Sequence, residues 1–165
     1  LDVGCGTGYA LEHVPNFKEY HGFDPDDRAI ARFRRTRSQA NIRLYARIMT
    51  ASDMETLRPT KALLMGLLHH LSDDDAIDLL RTLQITGTVQ RIVTWDTLFR
   101  PGKHLNNVLA MLDRGRYTRY DAGYVQLLKS AGLEIVHQAS FCSGNGLALY
   151  YATCCAPKEV ARDNS

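Results

Sequence analysis

Apolar and polar positions along the chain fall into short apolar runs separated by amphipathic stretches. That alternation predicts an α/β domain with a mainly parallel sheet. Leu1–Val3 reads as the end of a first strand that begins upstream, so an N-terminal piece is expected to precede it. Gly4 to Gly8 forms a turn, and a short helix follows to about Val14, before Pro15. His21–Phe23 is a second short strand ending at Asp24. Asp26 and Asp27 then place negative charge at the start of a helix that runs to about Ser38. Ile42 to about Met49 is the third strand, and the buried-type run Lys61–Leu67 the fourth. Ser72 caps the next helix, with Asp75 three residues on, and this helix extends to about Leu83. Val89–Thr94 is a fifth strand. Helices are expected over Leu105–Leu112 and over Tyr120–Ala131, the second closed by Gly132. Leu133–Ser140 and Leu147–Thr153 are the last strands. The turn-rich Cys142-Ser143-Gly144-Asn145-Gly146 between them marks an antiparallel hairpin.

Composition narrows this picture without changing it. The chain has 165 residues, of which 45% are hydrophobic and 23% charged, which suits one ordinary soluble domain. With no repeat or linker, residues 1–155 are expected to form that domain and 156–165 a flexible tail. The net charge of +2 lends no support to a nucleic-acid or membrane binder. No apolar run is long enough for a membrane helix, no signal peptide is evident, and a cytoplasmic location is expected. The four cysteines are too few for a disulfide scaffold and none is spaced C-x-x-C, so no metal site is expected. The run Arg32-Phe33-Arg34-Arg35-Thr36-Arg37 is read as the solvent face of a helix, with Ile30 and Phe33 inward.

The strongest local signal is Leu1-Asp2-Val3-Gly4-Cys5-Gly6-Thr7-Gly8. A strand ends, three glycines alternate, and a helix begins. Glycines serve where the backbone needs unusual dihedrals or where a ligand lies directly against it. The helix start then offers free N–H groups. A tight turn without a ligand would carry the entropy of three glycines for no return. A dinucleotide fold would place its third glycine at position 9, which is Tyr9. Asp24, at the end of the second strand, is a carboxylate able to accept from two ribose hydroxyls. Asp26 and Asp27 stand ready to cap the helix in its place.

This motif resembles the first motif of the class I S-adenosylmethionine-dependent methyltransferases, and the likeness extends over nearly the whole chain. It implies a Rossmann-like, doubly wound, mainly parallel seven-stranded sheet with an antiparallel C-terminal hairpin strand and helices on both faces. It also implies S-adenosyl-L-methionine as cofactor. Gly4, Cys5, Gly6 and Gly8 would form the cofactor loop, Asp2 would help hold the methionine amino group, and Asp24 the ribose. Phe23-Asp24-Pro25 looks like the family's second-strand ending, which adds Pro25 to the site. Relatives often carry an acid after the third strand for the adenine amino group. Ile48 stands there, so backbone groups near Ile48 and Met49 are the expected replacement, and Asp53 serves only if the loop is placed differently. Leu63-Leu64-Met65-Gly66-Leu67-Leu68-His69-His70-Leu71-Ser72-Asp73 resembles the fourth motif, which puts Gly66 and Leu67 near the transferable methyl group.

His69 and His70 suggest metal or acid–base chemistry, yet neighbours cannot both point one way on regular structure. His70 is expected to pack at the strand–helix junction, with His69 toward the substrate. Asp96 lies beyond the fifth strand as a candidate substrate contact or base. Asp113-Arg114-Gly115-Arg116-Tyr117-Thr118-Arg119 is similar to a D-R-G-R-x-x-R segment of some small-molecule methyltransferases. Arg114, Arg116 and Arg119 could grip an anionic group, or could pair with local acids in a solvated connector. The N-P-P-[YF] motif of amino-methylating DNA enzymes is absent, and a small-molecule acceptor is expected. The alternative is a degenerate, methyltransferase-like binding or scaffold module.

Overall fold

A computed structural model describes residues 1–14, 16–112, 115–142 and 148–158. Seven strands form one sheet: β1 (Asp2–Val3), β2 (Tyr20–Phe23), β3 (Ile42–Tyr45), β4 (Lys61–Met65), β5 (Arg91–Thr97), β6 (Leu133–Cys142) and β7 (Leu149–Pro157). Their order is β3-β2-β1-β4-β5-β7-β6. Strands β1 to β5 run parallel, and β7 lies antiparallel between β5 and β6. The expected architecture is therefore present, with β1 in the centre: Asp2 is in register with Gly22 on one side and Leu63 on the other. Successive strands are added on one side of β1 as far as β3 and then on the other side from β4. Such a switch point opens a crevice at the carboxyl ends of the strands.

Among the described residues, five α-helices accompany the strands: α1 (Asp27–Thr36), α2 (Ala51–Leu57), α3 (Asp73–Thr82), α4 (His104–Leu112) and α5 (Asp121–Ser130). Asp26 caps α1, accepting from the backbone N–H of Arg28 and Ala29. Its inward residues Ile30 and Phe33 are fully buried, while Arg32, Arg34 and Arg35 are exposed, as the amphipathic reading requires. Ser72 caps α3 through Asp75 N–H, and Gly132, at φ 81°, turns the chain out of α5. Strand alternation sends alternate side chains to opposite faces. Ile30, Phe33, Tyr20 and Cys5 form one core cluster. A larger one joins Val3, Phe23, Leu64, Leu80, Ile92, Tyr124 and Leu128.

Several boundaries differ from expectation for identifiable reasons. The segment after β1 is a single 3-10 turn, Tyr9–Glu12, and not a longer helix. β3 stops at Tyr45 because Thr50 and Asp53 build a capping box that starts α2, a helix the hydrophobic pattern did not announce. β4 stops at Met65 because Gly66 turns left-handed, at φ 73°. β7 continues to Pro157, and the N–H of Lys158 donates to Gly132 O, so ordered pairing reaches past residue 155. Of the expected turn Cys142–Gly146, Cys142 ends β6, and residues 143–147 and 159–165 lie outside the described residues. Among the described residues, no helix is long and apolar enough to cross a membrane.

Candidate active site

The loop after β1 is shaped by backbone dihedrals. Gly4, Gly6 and Gly8 all have positive φ, at 74°, 51° and 89°. The N–H groups of Gly4 and Cys5 donate to Phe23 O, which ties the loop to the end of β2. The glycines differ in what surrounds them. A Cβ at Gly8 would lie 2.3 Å from the Phe33 ring, and one at Gly4 would lie 3.1 Å from Leu67. A Cβ at Gly6 would meet nothing within 4 Å. Gly8 is therefore required by the protein's own packing, Gly4 is tight against Leu67, and Gly6 is the position that borders open space.

Asp24 closes the loop. Its Oδ2 accepts from Gly6 N–H at 2.8 Å and its Oδ1 from Asp26 N–H at 2.8 Å. Because Asp26 takes the capping role, each Asp24 oxygen keeps a further lone pair, so two hydroxyls could still be held. Pro25 lies between these two acids, at the start of the bend that leads into α1. Asp2 is buried beneath the loop, where the Tyr20 hydroxyl donates to its Oδ2 and its Oδ1 has no hydrogen-bond partner. Burial raises the Asp2 carboxyl to about 6, against the opposing effect of the Tyr20 hydrogen bond. Burial and the Asp2 charge also raise the Tyr20 phenol. Tyr20 was not anticipated as a site residue, since nothing in the spacing shows that β2 brings its hydroxyl under β1.

Beyond β3, Tyr45 stacks on Phe23 with ring centroids 4.3 Å apart. The Arg47 guanidinium lies over both rings. Arg47 also makes a two-pronged contact with Asp53, at 2.7 and 2.5 Å. Asp53 additionally caps α2, and these bonds hold its carboxyl well below the usual range. Asp53 is therefore engaged by Arg47 and by the start of α2. Ile48 is 72% exposed and Met49 is buried.

The other side of the crevice is assembled from separate segments. His69 sits in a 3-10 turn, Leu68–His70, directly after the left-handed Gly66. Its Nδ1 lies 2.8 Å from Asp96 Oδ1, which also accepts from His69 N–H at 3.1 Å. Facing a carboxylate, Nδ1 carries the proton. Both side chains are buried, and Asp96 Oδ2 has no hydrogen-bond partner. His69 is buried and lines the cavity, while His70, expected to pack at the junction, is exposed. Asp96, 27 residues away on β5, decides the matter by accepting from His69.

Residues 115–119 form a strap over this pair. A Cβ at Gly115 would lie 2.3 Å from His69 Cδ2, and Tyr117 N–H donates to His69 O. Arg119 anchors the strap. Nε and Nη2 donate to Asp73, Nη1 to Leu68 O and Tyr117 O, and Nη2 to Leu71 O, all within 2.9 Å. These five bonds match its five N–H groups, so Arg119 is spent on the protein and is not available to grip a substrate. Arg116 is exposed, and Arg114 lies outside the described residues. At the strand ends, beside the glycine-loop segment, is a cavity of about 430 Å³, lined by Tyr9, Met65, Gly66, His69, Trp95, Asp96, Thr97, Phe141, Cys142 and Tyr150.

The sequence model of one family, described as a methyltransferase domain, matches residues 1–85, just over half the chain. The chain belongs to this methyltransferase domain family. The matched part carries the glycine loop, Asp24, Gly66 and the histidine pair. Solved structures extend the fold match beyond it. A SAM-dependent methyltransferase from Anabaena variabilis ATCC 29413 superposes with a TM-score of 0.71 at 15% identity, covering 95% of this chain and 76% of that one. LepI in complex with SAM gives 0.66 at 18%, covering 95% and 42%. The N,N-8-amino-8-demethyl-D-riboflavin dimethyltransferase from Streptomyces davawensis gives 0.66 at 23%, covering 95% and 48%. This chain thus spans less than half the length of the latter two. No curated protein matches it significantly.

Proposed function

We propose that the chain forms the catalytic domain of a class I S-adenosylmethionine-dependent methyltransferase that acts on a small-molecule acceptor. One observation carries the reading: the left-handed glycine loop is tied through Gly6 N–H to Asp24, with open space above Gly6. The residues present fit the cofactor. Asp24 retains acceptor capacity for the two ribose hydroxyls, and the unpaired Asp2 Oδ1 under the loop suits an amino group. Backbone groups at Ile48 and Met49 would take the adenine edge, and Gly66 and Leu67 would stand beside the sulfonium. When bound, S-adenosylmethionine supplies a methyl group already activated by its positive sulfur. The protein's remaining tasks are to align an acceptor, exclude water and remove a proton. The cavity, about 430 Å³, is of the size that holds a small ligand. Neighbours of this fold include enzymes named for riboflavin-type and magnesium protoporphyrin substrates, which also favours a small acceptor.

The test is calorimetric titration with S-adenosylhomocysteine. Micromolar binding is expected, and Asp24→Ala should weaken it at least tenfold, about 1.4 kcal/mol. A chain that is folded by circular dichroism yet binds no S-adenosylhomocysteine would overturn the proposal.

A further inference from the structure

Strand register gathers aromatic rings on one face of the sheet. Met65 on β4 is paired with Trp95 on β5, and Trp95 with Ala152 on β7. Phe141 on β6 is paired with Tyr150, two residues before Ala152 and on the same face. Ala152 carries only a methyl group, so Phe141 reaches across β7 and meets Trp95 at 5.0 Å between ring centroids. Tyr150 meets Trp95 at 5.7 Å, and Tyr9 comes over from the glycine-loop segment at 6.1 Å. All three contacts are edge-to-face. These four rings and Met65 line one side of the cavity beside Gly66. Tyr9 is exposed and the other four are only partly buried, so this aromatic surface remains open to a ligand.

The cavity offers a ligand on that face no charge. Of its lining residues, only Asp96 and His69 can carry charge at neutral pH. Alternation along β5 turns Asp96 to the opposite face from Trp95, where its side chain is buried against His69. A cation would be drawn to ring faces and to a carboxylate beside them, and the one carboxylate of the lining points away. A sugar or open-chain alcohol would leave its hydroxyls unpaired against such walls. The volume, about 430 Å³, is that of a small-molecule pocket.

We infer that this cavity receives the ring of the methyl acceptor, and that the acceptor is a flat, uncharged aromatic molecule held against Trp95. The inference rests on the methyl-transfer reading, because Gly66 lines the cavity and on that reading stands beside the sulfonium. Trp95 is then a specificity-determining residue. It selects flatness, through offset or edge-to-face contacts that add to the area buried and that a puckered ring cannot make. Acceptor and methyl donor occupy neighbouring seats, so both fit at once.

Trp95 is the chain's only tryptophan, so its emission reports on this cavity. The probes are nitrobenzene, nitrocyclohexane (the same nitro group on a puckered ring) and the cation tetramethylammonium. Nitrobenzene is expected to quench Trp95 saturably without shortening its lifetime, as a bound quencher does. Nitrocyclohexane should displace it at least about fivefold more weakly, about 1 kcal/mol, and tetramethylammonium not at all. Saturating S-adenosylhomocysteine should change the affinity for nitrobenzene less than about twofold. Ala152→Leu, which drives a branched side chain between Trp95 and Phe141, should weaken nitrobenzene at least about fivefold. Tyr9→Ala, at an exposed position, should weaken it too and serves if the first variant does not fold. Equal affinity for the two nitro compounds, displacement by tetramethylammonium or by S-adenosylhomocysteine, or no saturable quenching in a chain that binds S-adenosylhomocysteine, would each overturn the acceptor assignment and leave the proposed function standing. Saturable, ring-selective quenching in a folded chain that binds no S-adenosylhomocysteine would keep the aromatic site and remove methyl transfer from it.

Discussion

The two sides of the crevice are made of different material. On the β1–β3 side the contacts come from backbone: left-handed glycines, the Phe23 carbonyl receiving Gly4 and Cys5, and one carboxylate pinning Gly6. All of it lies between Asp2 and Asp26. On the β4–β7 side the contacts come from side chains carried by widely separated segments, with His69, Asp96, Arg119, Phe141 and Tyr150 meeting only in the folded sheet. A site made of dihedral angles is sensitive to an added Cβ and indifferent to much else. A site made of side chains can change its ligand by changing a few residues while the fold stays the same. On the proposed function, this arrangement would separate a fixed cofactor seat from an adjustable acceptor seat.

The largest expected effect tests the first half of that contrast. Gly8→Ala places a methyl group 2.3 Å from the fully buried Phe33 ring, at a φ of 89°. Overpacking and left-handed strain together should cost about 3 kcal/mol or more. Gly6→Ala carries similar strain at φ 51° but meets nothing within 4 Å, so it should cost only about 1 kcal/mol while still impairing S-adenosylhomocysteine binding. Urea midpoints of the two variants check this. Equal midpoints would mean that packing does not distinguish the glycines and that the division of labour in the loop is wrong.

The same contrast explains what could be read from the sequence. The glycine loop, Asp24 and the Ser72 cap are encoded by neighbours a few residues apart, and each stands where the spacing placed it. The mainly parallel seven-stranded sheet with its antiparallel C-terminal hairpin followed from alternation plus resemblance, whereas the strand order is known only from the structure. Helix α2 was hidden because its start, Thr50-x-x-Asp53, directly follows the apolar run of β3 and uses Asp where Glu or Gln is the commoner signal. Met54 and Leu57, three apart, were the remaining cue. The burial of His69 and the exposure of His70 could not be read, because the partner that holds His69 is on another strand. Arg119 looked like a substrate clamp for the same reason: Leu68, Leu71 and Asp73, which use up its donors, are some fifty residues away in sequence.

Arg119→Ala tests the second half of the contrast. The bridge to Asp73 should contribute little, since Asp73 is largely exposed. The carbonyls of Leu68, Leu71 and Tyr117 would lose their donors, which argues for about 2 kcal/mol of lost stability. Arg119→Lys, with fewer donors in a different geometry, should recover only part of it. The strap should loosen over His69, changing its ring 15N–1H correlation and weakening acceptor binding. Affinity for S-adenosylhomocysteine should stay within about twofold, because Arg119 touches nothing in the glycine loop. A parallel loss of both affinities would show that the two seats are not independent.

The smallest expected effect lies within the cofactor seat and depends on pH. The Asp2 carboxyl titrates at about 6 in the folded chain, against an ordinary 3.8, chiefly because it is buried. Tyr20 donates to it, and Cys5 and Asp24 are the other titratable groups of the seat. Raising a carboxyl's folded value makes the native state bind more protons than the unfolded one between about 4 and 6. Its contribution to stability is therefore most favourable below that window and falls as pH rises through it. Cofactor binding should move the opposite way. If the ionised carboxylate is the form that receives the amino group, about one tenth of the chain is ready at pH 5 and nearly all at pH 7.5. Affinity for S-adenosylhomocysteine should then rise about tenfold across that range, since the ligand's own amino group does not titrate there. Asp2→Asn should bind more weakly at pH 7.5 and show a flat profile between the two values. A wild-type profile that is equally flat would mean that Asp2 holds the loop from beneath without touching the ligand, leaving Asp24 as the cofactor seat's one charged contact.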